Sequence, residues 1–536
     1  MTGPYDYIIV GGGAAGCVLA ARLSANPQHR VALLEAGPER SRPWFSVPGL
    51  SPFSAKDMSV NWAHSGVAEP ALDARSIRLL QGKLLGGSSQ INGMVYGRGH
   101  AHDYRDWQKA GGDAWGFEPI LQAYRFAESN QRGASEWHGA QGPLKVRQSV
   151  PASPLVEAFL QASEQAGYRR VADLNANGVD VFGLTDVTID RGKRRGAKAA
   201  YLDPVRARAN LTVFTGAHVR RVVVDQGRAV GVEVTFADGQ RTLHATHEVI
   251  LAAGGLKSAH LLLLSGIGPA AQLREQGIAV VADLPGVGAN LQNHPSFALR
   301  YRTTAPVSLK RLLHPLHGAR ALLAYGTRRG GALAEGIFNA AGFVRTSPDL
   351  VAPDAQIVMS PVLFPSANAT GLGVLPRAHG LTLAVQQGQP YSRGALTLRS
   401  ADPTIAPRIQ TGALGDARDL PVLHAAIRIA QGIMRQPVMR DLPCVAEGNP
   451  GEQSSDVDLD TRIRAQIGTA YHYCGTCAFG DAADPLAVVD PLLRVHGIAG
   501  LRVADGSVMP TIPNAPLHAP TIMIAERAAA FIVGMG

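Results

Sequence analysis

The stretch that most narrows the possible folds lies at the start of the chain. Asp6-Tyr7-Ile8-Ile9-Val10 suits a short buried strand, and Gly11-Gly12-Gly13-Ala14-Ala15-Gly16 follows at once in G-x-G-x-x-G spacing. Cys17 to Ser24 then carries Val18, Leu19, Ala21 and Leu23 at helical spacing. In such a unit the first glycine makes the turn, the second lets a pyrophosphate approach the backbone, and the third lets helix and strand pack closely. The phosphates then sit at a helix N-terminus. A second strand, Val31-Ala32-Leu33-Leu34, ends in Glu35 and Ala36, placing a carboxylate where it can accept the hydroxyls of a ribose. The pattern predicts a Rossmann-like α/β domain that binds a dinucleotide through Gly11, Gly13, Ala14, Ala15, Gly16, Glu35 and Ala36. By itself it does not separate NAD from FAD.

A chain of 536 residues, 46% hydrophobic, can bury a large core and is expected to divide into at least two domains. The first strand opens by residue 6, which predicts no secretory leader, and no run of about 18 apolar residues predicts a membrane span. Cys17, Cys444, Cys474 and Cys477 are too few for a disulfide framework and suit a reducing cytoplasm. The net charge of +9 is scattered. Its densest run, Arg191 to Lys198, has no interleaved aromatics and reads as a solvated loop, not a nucleic-acid surface. Leu309 to Arg329 is basic and partly apolar; it reads as a helical part of a substrate domain, with peripheral contact at the inner face of a membrane as the second reading.

Further glycine-rich blocks carry a family likeness. Gly82-Lys83-Leu84-Leu85-Gly86-Gly87-Ser88-Ser89-Gln90-Ile91-Asn92-Gly93-Met94 has too many small residues for a packed helix or strand, which leaves its amides free to surround a ligand. Together with Gly254 to Gly268, Asp283 to Pro295 and Leu501 to Pro510, it resembles the glucose-methanol-choline oxidoreductases over residues 5 to 530. The resemblance implies FAD as cofactor and an α/β fold: a Rossmann-like FAD-binding domain with a second, sheet-based (α+β) substrate domain. It implies FAD contacts at Trp62, Gly82, Lys83, Leu85, Gly86, Gly87, Ser88, Asn92, Gly93, Met94, Val95, Val219, Ala253, Gly254, Asp505, Gly506, His518 and Thr521. Some relatives tether the flavin through a histidine just before the asparagine of the first block; here Ile91 precedes Asn92, so the FAD is expected to be non-covalent. Gly255 and Ala259 stand where alanine and proline are usual, small-for-small changes.

The motif positions divide the chain into an FAD-binding part over 1–298, with a variable insertion near 140–195, a substrate-binding part over 299–464, and a return to the FAD domain over 465–536. Leu381 to Val385 and Ala395 to Leu398 read as strands of the substrate part. Thr521, after Pro520, is expected to open a helix whose positive end favours the charge on a reduced flavin.

His472 heads His472-Tyr473-Cys474-Gly475-Thr476, similar to the family's H-x-x-G-T segment. The resemblance gives it the alcohol proton, while the substrate carbon loses hydride to the flavin. Relatives place asparagine or histidine at a second catalytic position, which aligns here with Pro516, a side chain with neither donor nor acceptor. His518 lies two residues on, where an extended segment would point it the same way; it either replaces the missing partner or serves a structural or pyrophosphate-side role. Proline at this position is associated with family members that oxidise a hydroxymethyl group on an aromatic ring. Cys474 and Cys477 read as small packed residues, since further zinc ligands are lacking and no metal is expected. Asp103, Tyr104 and Trp107 read as surface and core residues, and His100 and His102 are unassigned. The expected activity is oxidation of a small aromatic or otherwise activated primary alcohol, with oxygen, a quinone or a protein taking the electrons. The alternatives are a choline-type or aliphatic alcohol dehydrogenase, a non-redox lyase on the same scaffold, and a flavin-binding protein without turnover.

Overall fold

In a computed structural model that describes residues 3–40, 42–364, 376–451 and 453–534, the opening unit forms as read: strand β1 (Tyr5–Val10), helix α1 (Ala14–Leu23) and strand β2 (Val31–Glu35). Gly16 is required for packing, because a Cβ there would lie 1.9 Å from the Gly11 carbonyl oxygen. β1 pairs in parallel with β2 on one side and with the strand Gly239–Leu251 on the other, and β2 pairs with Leu211–Thr215. The chain then folds back as an antiparallel meander, His218–Asp225, Arg228–Phe236 and Gly239–Leu251. Leu501–Val503 returns from far along the sequence to pair with Gly239–Leu251. β1 and β2 are buried on both faces, which explains their continuous apolar runs.

The second sheet is antiparallel through most of its width. Pro295–Arg302, Gly380–Gln387, Ala355–Ser360, Ala340–Val344 and Val181–Leu184 pair in that order. The register puts Phe297, Leu299, Ile357, Met359, Leu381, Leu383 and Val385 on one face, all fully buried. The helix Asp419–Met434 packs on that side. The other face, with the intervening residues, is turned to a cavity. The division along the sequence is less simple than expected. Residue 298 falls inside the strand Pro295–Arg302, and the stretch near 140–195 supplies Arg169–Arg170 and Val181–Leu184 to the second sheet.

The last helix also differs from its predicted start. It runs His518–Ile532, beginning three residues before Thr521, with Pro520 inside its first turn, where a missing N–H costs nothing. Residues 516 and 518 are therefore not on one extended strand, and the alternation argument for His518 does not apply. This helix packs against α1. Arg22 at the end of α1 pairs with Glu526 at 2.7 Å, and the Tyr201 hydroxyl donates to the same carboxylate. The basic helix Pro315–Arg328 forms within the predicted Leu309 to Arg329 segment.

Candidate active site

One cavity runs from the first glycine loop to the second sheet. Its wall includes Gly11, Gly13, Ala14, Ala15, Glu35, Ala36, Trp62, Gly82, Gly87, Ser88, Asn92, Gly93, Met94, Val95, Val219, Ala253, Gly254, Asp505, Gly506, Pro516, His518, Thr521 and His472. Gly16, Lys83, Leu85 and Gly86 lie outside it. The Leu85 side chain is buried against Gly12, and the Gly86 amide donates to the Gly12 carbonyl at 2.7 Å, so the second glycine block props the first. Lys83 stands 4.5 Å from the Trp62 ring centre, and so does Lys257, which burial and the charge of Lys83 bring down to about 8.

The cradle fits a dinucleotide. Gly87 is left-handed (φ +54), and a Cβ there would meet Gly13 Cα at 2.7 Å, so the two glycine loops touch backbone to backbone and leave their amides facing the cavity. Glu35 is fixed by its own loop: Oε2 accepts from Gly12 N at 2.9 Å and Oε1 from Gly37 N at 2.7 Å. Burial pushes its carboxyl up to about 7 against those two amides and the charge of Lys83. Asp505 accepts from Gly254 N and from the Ser258 hydroxyl, tying the C-terminal return to the loop after Gly239–Leu251. These residues would hold the FAD, and Ile91 offers no side chain for a covalent link.

His472 is set by two short contacts between distant segments. Gln292 and Cys474 exchange both backbone hydrogen bonds, at 3.0 and 3.1 Å, in an antiparallel bridge. Beyond it the pairing shifts by two residues, with Ala470 N donating to His294 O at 3.1 Å and Pro295 pairing with Thr469, so the intervening segment bulges and carries His472 beside His294. Asn293 Oδ1 accepts from His472 N at 2.8 Å. Tyr471, at φ +63, is a non-glycine residue in left-handed conformation immediately before His472, a strained position of the kind retained at functional sites.

His294 Nδ1 and His472 Nδ1 are 2.8 Å apart, and His294 Nε2 is 2.9 Å from the Gly388 carbonyl oxygen. The Gly388 and Pro513 carbonyls both face the His294 ring and only accept; with the ring's proton on Nε2, toward Gly388, Nδ1 offers a lone pair. His472 Nδ1–H then donates to it, which leaves His472 Nε2 as a lone pair with no partner among the described residues. Burial pulls both imidazoles down, His294 to about 4 and His472 well below the usual 6.5, with the neighbouring ring adding to the effect on His472.

His294 was not singled out by the sequence. It follows Asn293 and precedes Pro295 at the mouth of a strand, and nothing local joins it to a residue 178 positions away. Pro516 sits in the cavity wall against Gly97, where a Cβ would come within 2.9 Å of its Cδ. His518 also lines the cavity, with a buried Nε2 that has no partner, and burial and the charge of Arg194 bring it down to about 4. Arg194 corrects the reading of its segment as a solvated loop. It is 5% exposed and donates to Asn92 Oδ1, Asn92 O and Ser89 O, bracing the first signature block from behind. Asp103 is likewise buried and accepts from the amides of His100 and Asn514, joining that block to the segment before Pro516. Tyr104 and Trp107 are core residues, and burial pushes the Cys474 and Cys477 thiols up.

Comparison with known proteins agrees with this architecture. Two family models described as GMC oxidoreductase match residues 5–296 and 390–525. The chain is 38% identical over 534 residues to an oxygen-dependent choline dehydrogenase of Rhizobium etli, covering 99% of this chain and 95% of that protein. Among solved structures it resembles a formate oxidase of Aspergillus oryzae RIB40, with TM-score 0.92, 27% identity and coverage of 99% and 98%. It also resembles pyridoxine 4-oxidase from Mesorbium loti, with TM-score 0.86, 29% identity and 98% of each chain covered. The relatives favour the choline-type alternative over the aromatic reading and give no support to the lyase. The chain belongs to the GMC oxidoreductase family and is an FAD-dependent alcohol oxidoreductase.

Proposed function

We infer that the enzyme oxidises a neutral primary alcohol with an aromatic or apolar body to the aldehyde, and that His472 Nε2 accepts the hydroxyl proton. The observation that carries the proton-accepting role is the directed pair Gly388–His294–His472, which presents a lone pair to the cavity and holds the ring by its other nitrogen. When bound, FAD supplies the hydride acceptor. His294 anchors the ring, and once His472 takes up the proton its Nδ1–H continues to donate to His294, so the base stays oriented in both states. His294 is fully buried behind the cavity wall, so water does not compete for its contact with His472.

The face that the second sheet turns to the cavity supports this substrate class. Phe343 and Gln356 are cross-strand neighbours there, Val358 opposes Ala384 and Ser360 opposes Thr382. Phe338 and Phe364, which pack edge to face at 6.4 Å, add aromatic surface to the cavity wall. Among the described residues, Gln356 Nε2 and the Ser360 hydroxyl are buried without a partner, two groups able to hydrogen-bond a polar atom of the substrate. Each carboxylate in the wall is already engaged: Glu35 by its own loop, Asp505 by Gly254 and Ser258, and Asp186 by Arg132 at 2.8 Å and Asn175 at 2.9 Å. A quaternary ammonium would find aromatic faces but no spare negative charge.

The second reading, a choline-type alcohol, is favoured by the full-length likeness to choline dehydrogenases. Anaerobic bleaching of the flavin, compared among benzylic, pyridylmethyl, aliphatic and choline-type alcohols, separates the two. Faster reduction by the neutral aromatic alcohols is expected, and choline reducing fastest would overturn the assignment.

A further inference from the structure

The helix Pro315–Arg328 and the turn Leu309–Leu313 before it leave an apolar face uncovered. The helix's inner side, Ala321 and Tyr325, is buried against Val47, Leu333 and Ala334. Its outer side carries Leu316 and Leu323, seven residues apart on one face, each 67% exposed; Leu322, at 66%, and Leu313, at 48%, flank them. Four exposed leucines on one short segment are more than scattered surface apolarity explains.

The charge around them has one sign. Lys310, Arg311, Arg320, Arg328 and Arg329 lie on this segment, and from Leu284 to Ala334 the sequence contains no aspartate or glutamate. Among the described residues none of these five cations forms a salt bridge. Arg311 donates to the Ala152 carbonyl and Arg329 lies over the Tyr325 ring, and neither contact neutralises a charge. Leucines flanked by uncompensated arginines on a helix lying flat against the protein are the pattern of an interfacial helix, in which apolar side chains enter the acyl boundary while cations meet anionic headgroups.

We propose that this helix docks the enzyme on the surface of an anionic lipid bilayer. The location gives the docking a use. The helix packs on Val47 and Leu50, and the segment they belong to continues through Ser51–Lys56, whose Ala55 lines the cavity. Phe53, on the same short helix, is 40% exposed. A bilayer under the helix lies one layer of chain from the cavity wall, which suits an apolar alcohol or a lipid-soluble electron acceptor.

The test is co-sedimentation of the FAD-loaded enzyme with vesicles of phosphatidylcholine alone and with vesicles containing phosphatidylglycerol, at low and high salt. Binding only to the anionic vesicles, weakened at least tenfold by high salt, is expected. The double variant Leu316→Ser/Leu323→Ser and the double variant Arg320→Glu/Arg328→Glu should each lose at least tenfold in vesicle binding while keeping their FAD content and rate of flavin reduction. No binding to anionic vesicles at low salt would overturn the proposal, as would binding unchanged in both variants. Concentration-dependent dimerisation that the leucine variant abolishes, without vesicle binding, would reassign the face to a second copy of the chain.

Discussion

Replacing His294 tests the directed histidine pair without touching the proposed base. In His294→Ala the Nδ1–H of His472 loses its acceptor, and a buried donor left unpaired costs about 1–3 kcal/mol. The ring also loses the contact that keeps its lone pair on Nε2. If the whole cost falls on the transition state, at about 1.4 kcal/mol per factor of ten, the reductive step slows roughly 5- to 150-fold. His472→Ala should lose more, on the order of 10²–10⁴. His294→Gln keeps an acceptor toward His472 and a donor toward Gly388 and should recover most of the rate. The pH profile gives a second readout. A general base must be unprotonated, and burial, aided by His294, holds His472 well below 6.5, so the rate should stay level on the alkaline side and fall only well below that value. The assay is anaerobic stopped-flow flavin reduction at saturating alcohol, on variants shown to retain FAD. A His294→Ala enzyme reduced at the parent rate would refute the pairing, and a His294→Gln enzyme as slow as His294→Ala would refute the tautomer assignment.

Further outcomes follow from the cofactor cradle and the buried histidines. Glu35 sits near 7 and holds ribose hydroxyls best when ionised, so FAD affinity should rise with pH through that value; Glu35→Gln should weaken binding by about 1.5–3 kcal/mol and flatten the dependence, measured by titrating the apoprotein. Unchanged affinity at every pH would mean that the ribose is held elsewhere. His294 stays neutral in the fold down to about 4 but protonates in the unfolded chain near 6.5, so the unfolded state binds more protons between those values and stability falls as pH drops through that window, by up to about 1.4 kcal/mol per pH unit. Glu35 and Asp103, both raised to about 7, titrate the opposite way. The informative measurement is therefore a difference: Tm of His294→Gln should fall less on acidification than Tm of the parent, and equal falls would contradict the assignment. Because Ile91 offers no attachment point, acid or heat should release the flavin into the supernatant; flavin retained on the precipitated chain would show a covalent link.

How much was legible depended on how local the determining contacts were. β1, α1 and β2 could be read because strand, glycine turn and helix are each specified within a few residues. In the second sheet the strand over Leu381 to Val385 could be read, but the pairing was hidden because its neighbours are remote: Pro295 pairs with Thr469, and Ala340 with Leu184. Arg194 looked solvated because a basic run carries no mark of burial, and its partners Ser89 and Asn92 lie about a hundred residues away.

The same reasoning explains why Pro516 was an apparent gap in the site. The family pattern placed the partner of His472 on the C-terminal segment, so a proline there made His518, two residues on, the natural substitute. The structure gives His472 its hydrogen-bond partner from another direction. The bridge between Gln292 and Cys474 and the bulge beyond it bring His294 beside His472, and the Gly388 carbonyl lies at hydrogen-bond distance from the other His294 nitrogen. His518 instead heads a helix, with Arg194 as its charged neighbour. A side chain at position 516 is then free to be chosen for shape, and a proline packed on Gly97 supplies an apolar wall. Under the proposed function, such a wall would suit a neutral ring better than a hydrogen-bonding residue, and position 516 would bear on which alcohol enters while His294 orients the proposed base.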